Sequence, residues 1–407
     1  MTLDTGRSRD IPAGLAWLEA LGPQKIRPGL SRTLSLLSSL ANPQSSFSSI
    51  LIGGTNGKGS TAASISAILT AAGVPCGLYT SPHLVSVTER VRLRDRDVSA
   101  EALSDALSLV AAVSTPGDRS PTYFEAMTVA AFELFRRARV RVAVVEVGIG
   151  GRLDATNVLE PDVSVVTNVA ADHLDVLGPT LEDVAREKAG IFRKGQPALA
   201  GAEGTSDGPR AVLHTEARRA GARLVEVPPA PRWEGFSPLA GAHQLQNVSL
   251  AVAAARAVAP LDDAEIAHGL KATRWRGRLE RIETPGRRPL LVDGAHNPPG
   301  ALALAAHLDA AGLSGAVDLL FGGMADKDLA AVFAPLAARA RRIVLVAPSS
   351  PRAEPAARLA GRLGRPDLET APSVAEGLAR LEAARGAAPI LVAGSLYLAG
   401  DVLRLRG

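Results

Sequence analysis

The chain has 407 residues, of which 46% are hydrophobic and 21% are charged, with a formal net charge of +4 at pH 7. This length and composition indicate a soluble globular protein with room for two domains. The basic residues are scattered among acidic ones and form no block. This disfavours a nucleic-acid-binding protein, because such proteins usually cluster their positive charge.

The cysteine count and the hydropathy pattern exclude further classes. Cys76 is the only cysteine, so the chain has no intrachain disulfide and no cysteine-based zinc site. Residues 1–10 are polar and lack the pattern of a secretory signal. No apolar span approaches the roughly 18 residues of a transmembrane helix. We therefore expect a cytoplasmic protein with no membrane partner.

The most informative stretch follows two predicted helices, at residues 11–22 and 30–40, and the apolar strand-like run 49–52. It reads Gly-Gly-Thr-Asn-Gly-Lys-Gly-Ser-Thr over residues 53–61 and leads into a predicted helix. Glycine N–H groups, a helix N-terminus and a lysine together suit phosphate oxygens, and the hydroxyl of Ser60 or Thr61 can hold Mg²⁺. We interpret this stretch as a phosphate-binding loop rather than a simple turn.

Strands and helices alternate along the rest of the chain. The predicted strands cover residues 76–79, 142–147, 163–168, 223–227, 290–293, 317–321, 343–346 and 389–393, and the predicted helices cover residues 99–113, 124–137, 180–189, 211–221, 239–258 and 301–311. Loops are predicted at 201–210 and 228–238, which are rich in glycine, proline and small polar residues. Short continuous apolar strands between helices are typical of a parallel, doubly wound α/β sheet.

We predict two domains of this α/β class. Residues 1–280 form a nucleotide-binding domain with a helical leader and a doubly wound, mostly parallel sheet. Residues 281–407 form a smaller Rossmann-like α/β domain, because the alternation restarts after the break at Thr284-Pro285-Gly286.

Polar side chains follow the strands of the first domain. Ser81, Glu146 and Asp172-His173 each come just after a predicted strand, as the phosphate loop does. Because the carboxyl ends of parallel strands share one edge, we expect these groups to converge there. Hydroxyl, carboxylate and imidazole groups suit a Mg²⁺ or Mn²⁺ site beside nucleotide phosphates.

The motifs, taken as a set, resemble the folylpolyglutamate synthase and dihydrofolate synthase family of the Mur ligase superfamily. They are Gly54-Thr-Asn-Gly-Lys-Gly-Ser60, Thr80-Ser-Pro-His-Leu84, Thr122-Tyr-Phe-Glu125, Glu146-Val-Gly-Ile-Gly-Gly-Arg-Leu-Asp-Ala-Thr-Asn157, Asp172-His173, Glu187-Lys-Ala-Gly-Ile191, Gly277-Arg-Leu-Glu280 and Asp293-Gly-Ala-His-Asn-Pro298. Weaker matches lie at Asp326-Lys327-Asp328 and Gly394-Ser-Leu-Tyr397.

The resemblance implies an ATP-dependent carboxylate–amine ligase that adds L-glutamate to 7,8-dihydropteroate, to reduced folates or to both, through an acyl phosphate. The implied catalytic residues are Lys58, His173 and Lys188. The implied ATP contacts are Gly54, Thr55, Asn56, Gly57, Lys58, Gly59, Ser60, Asn247, Arg278 and Asp293. The implied pterin or folate contacts are Thr122, Tyr123, Phe124, Glu125, Leu153, Asp154 and Ala155.

The resemblance also implies two metal sites. Ser81, Glu146 and His173 would hold one Mg²⁺, and Lys188, converted by CO₂ to a carbamate, would supply an oxygen ligand to a second. Family members are generally monomers, so we expect a monomer.

Simpler interpretations remain open at this point. Lys188 could pair with Glu187 or Asp183 on its helix, and the segment 293–298 could be only a strand-to-helix turn. Two other functions also fit the phosphate loop. One is a peptidoglycan-type Mur ligase with a uridine-linked substrate, and the other is a nucleotide switch with no ligase chemistry.

Overall fold

The computed structural model describes residues 11–22, 26–383 and 388–406. The expectation about the polar start rests on residues 1–10, which lie outside the described residues. The chain folds into two α/β domains, each with helices on both faces of a mostly parallel sheet, as the alternation of apolar runs predicts.

The first domain is built on an eight-stranded sheet with the order β4-β3-β2-β5-β1-β6-β7-β8. Its strands are β1 (Ser48–Gly53), β2 (Cys76–Tyr79), β3 (Val91–Leu93), β4 (Arg96–Asp97), β5 (Val142–Glu146), β6 (Val163–Val166), β7 (Pro197–Gly201) and β8 (Arg223–Val227). Its helices are α1 (Ala13–Ala20), α2 (Ser31–Ser39), α3 (Lys58–Ala71), α4 (Ala100–Val113), α5 (Tyr123–Arg137), α6 (Leu174–Leu177), α7 (Leu181–Ala189), α8 (Asp207–Ala220), α9 (His243–Val258) and α10 (Asp263–Ala272).

Strand β1 lies in the middle of this sheet, parallel to β5 on one side and β6 on the other. Within the described strands of this sheet, only the β2–β3 and β3–β4 pairs are antiparallel. Ile50, Leu51 and Ile52 are fully buried, and burial of one such side chain contributes about 1.5–3 kcal/mol. The chain passes from β1 to β2 on one side of β1, and later from β5 across β1 to β6 on its other side. The loop after β1 therefore lies at the switch point where ligands bind in open α/β sheets.

The second domain is built on a six-stranded sheet with the order β13-β12-β11-β14-β10-β9. Its strands are β9 (Glu280–Ile282), β10 (Leu290–Val292), β11 (Val317–Phe321), β12 (Ala340–Leu345), β13 (Leu368–Thr370) and β14 (Ile390–Ala393), and its helices are α11 (Pro298–Ala310), α12 (Leu329–Ala337), α13 (Ala356–Leu363), α14 (Val374–Glu382) and α15 (Leu396–Arg406). Only β9 runs antiparallel among them. The predicted boundary between residues 280 and 281 falls within β9.

The structure differs from the predicted elements in places. Strand β7, made of Pro197-Ala-Leu-Ala-Gly201, was not predicted because it lacks β-branched and aromatic residues. Helix α8 begins at Asp207, inside a predicted loop, and α9 begins at His243 rather than near residue 239. Among the described residues, no helix has the length and apolar character needed to cross a bilayer.

Candidate active site

The phosphate loop joins β1 to α3 and leaves the start of that helix open. Gly57 is the N-cap of α3, with φ of +85°, and no side chain caps the helix. A Cβ atom at Gly57 would lie 2.2 Å from Oδ1 of Asn247, so only glycine fits this backbone. The first N–H groups of α3 are therefore available to an anion.

Lys58 lies over its own loop. Its Nζ donates to the carbonyl oxygens of Gly54 and Thr55, each at 3.1 Å. Neither contact neutralises the charge, because both acceptors are uncharged. Ser60 lines the cavity in front of the loop, whereas Thr61 is fully buried, so the structure favours Ser60 as the hydroxyl that faces a ligand.

Three predicted metal-binding residues line the same cavity: Ser81, Glu146 and His173. Glu146 is 5% exposed, and its Oε2 accepts a hydrogen bond from the Ser81 backbone N–H at 3.2 Å. Burial raises the pKa of Glu146, while Lys58 and the Ser81 N–H oppose this shift. His173 has φ of +52° and stands at the start of α6, and burial lowers its pKa.

Within the described part of the chain, the predicted metal site does not consist of acidic, histidine and cysteine side chains alone. No group of three or more His, Cys, Asp or Glu side chains there could hold a metal ion. The predicted metal ligands in the cavity are instead the hydroxyl of Ser81, the carboxylate of Glu146 and the imidazole of His173. Glu146 has one protein hydrogen bond, which leaves its carboxylate with capacity for a cation. These donors fit a divalent ion completed by water and phosphate oxygens.

Lys188 is a buried lysine on α7, with 3% of its surface exposed, and it also lines the cavity. The alternative in which it pairs with a helix neighbour is not formed, because Glu187 binds Arg152 and Asp183 binds Arg186. Burial, followed by repulsion from Lys58, lowers the pKa of Lys188 to about 7. A large share of this amine is therefore neutral near pH 7.

The second domain closes the cavity through two loops, one between β10 and α11 and one between β11 and α12. Lys327 donates to Oδ1 of Asp172 at 2.6 Å, and Asn297 donates to Oδ2 of Asp172 at 3.1 Å. Asn297 also donates to Oδ1 of Asn56, in the phosphate loop, at 2.9 Å. Burial alone would raise the pKa of Asp172, but His173, Lys327 and His296 hold it well below its usual range. The carboxylate of Asp172 is thus the main link between the domains at the site.

The other predicted ATP contacts also line the cavity. Asn247 lies against Gly57, and its Nδ2 donates to Oε1 of Gln244 at 2.9 Å. Both carboxylate oxygens of Asp293 accept backbone N–H groups, from Leu279 at 2.9 Å and Ala295 at 2.8 Å. In this structure Asp293 therefore shapes the second-domain loop that borders the cavity, and Arg278 lies beside the same loop.

The predicted pterin-binding residues lie outside the cavity lining. Thr122 and Glu125 form the capping box of α5, and Glu125 also binds Arg32 at 2.7 Å. Asp154 accepts hydrogen bonds from the Ile149 N–H and from Thr156. The remaining residues of this set are Tyr123, Phe124, Leu153 and Ala155.

One contact connects these residues with the cavity. The ring of Phe124 lies so close to Gly148 that a Cβ there would be 2.7 Å from the ring, and Gly148 lines the cavity. The predicted acceptor residues are therefore next to the cavity but separate from the part that the phosphate loop borders.

The prediction missed several residues that the fold brings to the site. At the site, His296, Asn297 and Lys327 of the second domain contact Asp172, whose place at this edge was predicted, and Trp275 packs against Gly59. The sequence contained a partial signal for these residues, since all but Trp275 lie in or beside the quoted motifs. Their pairing was not predictable, because Asp172 and Lys327 are 155 positions apart.

The whole site is one cavity of about 470 Å³ between the two domains. Matches to family models cover both sides of it. The model of the Mur ligase middle domain matches residues 52–200, and the model of the Mur ligase glutamate ligase domain matches residues 277–396. Together with the two-domain fold, these matches define an ATP-dependent acid–amino-acid ligase of the Mur ligase type.

Relatives narrow this class. The chain is 35% identical to the folylpolyglutamate synthase of Lacticaseibacillus casei, covering 91% of this chain and 92% of that protein. It is 34% identical to the dihydrofolate synthase/folylpolyglutamate synthase of Escherichia coli, covering 97% and 95%. The chain belongs to the folylpolyglutamate synthase/dihydrofolate synthase family, so the two alternative functions are not favoured.

Solved structures and a longer relative complete the comparison. A Mycobacterium tuberculosis folylpolyglutamate synthase complexed with ADP is 31% identical, with a TM-score of 0.88 and 98% of this chain covered, 99% of that one. E. coli FolC in complex with DHPP and ADP is 31% identical, with a TM-score of 0.85 and 97% of each chain covered. The chain spans only 41% of a probable bifunctional folylpolyglutamate synthase/dihydropteroate synthase of Halobacterium salinarum, to which it is 40% identical.

Proposed function

We propose that this ligase adds L-glutamate both to 7,8-dihydropteroate and to reduced folates, with ATP as the energy source. One observation carries the proposal: Lys58, Ser81, Glu146, His173 and Lys188 line a single cavity between the domains. The groups that we propose to bind phosphate and metal, and the lysine that we propose to react with CO₂, therefore surround one volume, as a reaction between ATP and a carboxylate requires.

ATP would bind with its phosphates at the start of α3. The open N–H groups of the helix would contact phosphate oxygens, and Lys58 would exchange its two carbonyl contacts for them. Asn247, Arg278 and Asp293 border the same cavity and would contact the rest of the nucleotide. The ADP in the M. tuberculosis and E. coli structures supports this assignment.

Ser81, Glu146 and His173 would hold a divalent cation. Such an ion, when bound, neutralises charge on the phosphoryl group as it is transferred. The imidazole makes Mn²⁺ as suitable as Mg²⁺. A Yersinia pestis relative, 32% identical, was solved with AMPPNP and a Mn ion, which supports a divalent metal here.

Lys188 would become a carbamate. Its neutral amine attacks the carbon of CO₂, a new N–C bond forms, and one proton leaves the nitrogen. The product is an anionic oxygen donor in place of a cation. The burial of Lys188 and its pKa of about 7 support this step, because only the unprotonated amine reacts.

The reaction would proceed in two transfers. An oxygen of the acceptor carboxylate attacks the γ-phosphorus of ATP and ADP leaves, which gives an acyl phosphate. The amine of L-glutamate then attacks the acyl carbon, phosphate leaves, and one proton is released. Lys58 and the loop amides stabilise the transferred charge. The contacts of Lys327 and Asn297 with Asp172 keep the domains together and limit access of water to the acyl phosphate.

The acceptor would bind along Thr122–Glu125 and Leu153–Ala155, beside the cavity. We propose both acceptors because the E. coli relative carries both synthase names and the chain covers nearly all of its length. We also propose that the enzyme acts as a monomer, as the resemblance to a family of generally monomeric enzymes implies.

Incorporation of labelled L-glutamate tests the proposal. Purified enzyme receives ATP and Mg²⁺ with dihydropteroate, with tetrahydrofolate or with no acceptor, and the products are identified by mass. We expect one added glutamyl residue with either acceptor and none without ATP. Products from only one acceptor would refute bifunctionality, and no product from either would refute the proposed function.

A further inference from the structure

Arg90 lies at a position that no predicted role explains. It ends the short 3₁₀ turn Val87–Arg90, directly before β3, and it is only 8% exposed. Its backbone carbonyl accepts a hydrogen bond from the N–H of Thr80 at 2.9 Å. This bond places Arg90 close to Ser81 in the fold. A buried guanidinium in such a place needs a reason, because burial of an unpaired charge is costly.

The charge of Arg90 has no acidic partner among the described residues. Its Nε donates to Nδ1 of His83 at 2.9 Å, and its guanidinium carbon lies 5.2 Å from the centre of the Tyr123 ring. Neighbouring arginines differ: Arg32 binds Glu125 and Arg92 binds Asp97, each at 2.7 Å. His83 carries no negative charge, so this contact does not compensate the positive charge of Arg90.

The two terminal nitrogens of Arg90 are free to bind a ligand. They donate no hydrogen bond within the described part of the chain, where the only bond of this side chain is through Nε. These two nitrogens are not fully buried, so they face space that water or a ligand can enter. A guanidinium edge with two free N–H₂ groups matches the two oxygens of a carboxylate.

Arg90 also contacts residues from both halves of the site. Its carbonyl binds the N–H of Thr80, the residue before Ser81, and its guanidinium lies over Tyr123, so its positive charge is near the predicted metal ligands and the predicted acceptor contacts. The same charge opposes the burial that raises the pKa of Tyr123, a predicted acceptor contact. An acceptor that extends from Tyr123 towards the phosphate loop would bring its reactive end past Arg90.

We propose that the terminal nitrogens of Arg90 bind the carboxylate of the acceptor substrate and present it to the γ-phosphoryl group. The proposal rests on the proposed function and names the residue that receives the reacting group. Arg90 would offset the repulsion between this carboxylate and Glu146, and stacking on Tyr123 would fix the plane of the guanidinium. Arg90 is thus a substrate-binding residue.

A paired change in enzyme and ligand tests the proposal. The dissociation constants of 7,8-dihydropteroate and of its carboxamide analogue, which lacks the negative charge, are measured by calorimetry without ATP or metal. The variants are Arg90→Met and Arg90→Lys. The control is Arg232→Met, because Arg232 also stacks on an aromatic ring, at 4.9 Å from Trp233, but is exposed and lies near Asp263.

We expect the wild-type enzyme and Arg232→Met to bind the carboxylate about 10- to 100-fold more tightly than the carboxamide, as for a charge-assisted pair. In Arg90→Met this ratio should fall to about one, and in Arg90→Lys it should be intermediate, because lysine keeps the charge but not the paired N–H₂ groups.

A wild-type ratio in Arg90→Met would overturn the inference, even if its turnover were reduced, since a structural role alone would not change the ratio. If Arg90→Met does not fold, an unchanged ratio in Arg90→Lys overturns it instead. Failure of the wild-type enzyme to bind dihydropteroate at all would refute the proposed function as well, so the two failures are distinguishable.

Discussion

Two strand–turn–helix units border the cavity, one in each domain, and the N-termini of their helices differ. Helix α3 follows Gly57, and no side chain caps its N-terminus. Helix α11 follows Asn297, whose side chain accepts the Gly300 N–H at 3.0 Å, and it begins with Pro298, which has no N–H. The first helix therefore leaves its N-terminal N–H groups available to a phosphate. In the second helix, the side chain of Asn297 both caps the N-terminus and contacts the other domain. Similar glycine- and asparagine-rich turns thus serve binding in one domain and closure in the other.

The largest effect should come from the open helix start. Lys58→Ala should lower kcat about 1,000-fold or more, because it removes a cation from the transferred phosphoryl group. The fold should persist, since Lys58 contacts only two backbone carbonyls. Turnover and circular dichroism are compared with those of Lys271→Ala, a lysine that lies over the ring of Phe236. Wild-type turnover in Lys58→Ala would remove the phosphate loop from the mechanism.

The second effect concerns Lys188, which lies in the first domain, as the uncapped helix α3 does. Its pKa of about 7 means that the neutral amine dominates above pH 7 and the ammonium below it. Carbamate formation should therefore fail as the pH falls below about 6. In CO₂-depleted buffer, kcat should decrease more than tenfold at pH 6 and recover when bicarbonate is added. Lys188→Arg should be inactive at every pH. Activity that does not depend on bicarbonate at any pH would contradict the proposed carbamate on Lys188.

The third prediction concerns closure. Lys327→Met removes the ion pair with Asp172, which joins the two domains. We expect kcat/KM to decrease about 10- to 100-fold and the radius of gyration in X-ray scattering to rise. Each domain should keep its fold, because nearly all buried residues of each core cluster come from one domain. Arg365→Met is the control, since Arg365 pairs with Asp367 inside the second domain. Equal effects of both variants would argue against a role of Lys327 in closure.

The smallest effect separates the two tasks of Asn297. Asn297→Ser keeps an oxygen that can cap α11 but loses the Nδ2 contacts with Asn56 and Asp172. Asn297→Ala loses both. The alanine variant should be about 1 kcal/mol less stable than the serine variant in denaturant unfolding of the second domain. Their KM for ATP should rise equally. A serine variant with a wild-type KM would show that the contact with the phosphate loop is dispensable.

Local pattern was sufficient to predict much of the fold and half of the site. Continuous apolar strands between helices predict parallel sheets, and polar residues after those strands predict that Lys58, Ser81, Glu146 and His173 meet. Both inferences use only neighbours in the chain and the geometry of a parallel sheet. Strand β7 could not be predicted in this way, because its small residues have little strand propensity.

The rest depended on pairings across long separations. Asp172 was visible as a polar residue after a strand, but nothing nearby indicates that Lys327 and Asn297 neutralise it. The reverse holds for Arg90, which is surrounded by acids in the sequence, such as Glu89 and Asp97, and yet pairs with neither as an ion. Only the folded structure shows which charges stay unpaired, and that information points to the acceptor side.

The central claim is that the cavity forms an acyl phosphate from ATP and the acceptor carboxylate. Dihydropteroate labelled with ¹⁸O in its carboxylate tests it directly when incubated with enzyme, ATP, Mg²⁺ and L-glutamate. We predict that each released phosphate carries one ¹⁸O atom, because the attacking oxygen leaves with phosphorus. Phosphate without ¹⁸O, alongside glutamylated product, would contradict the account.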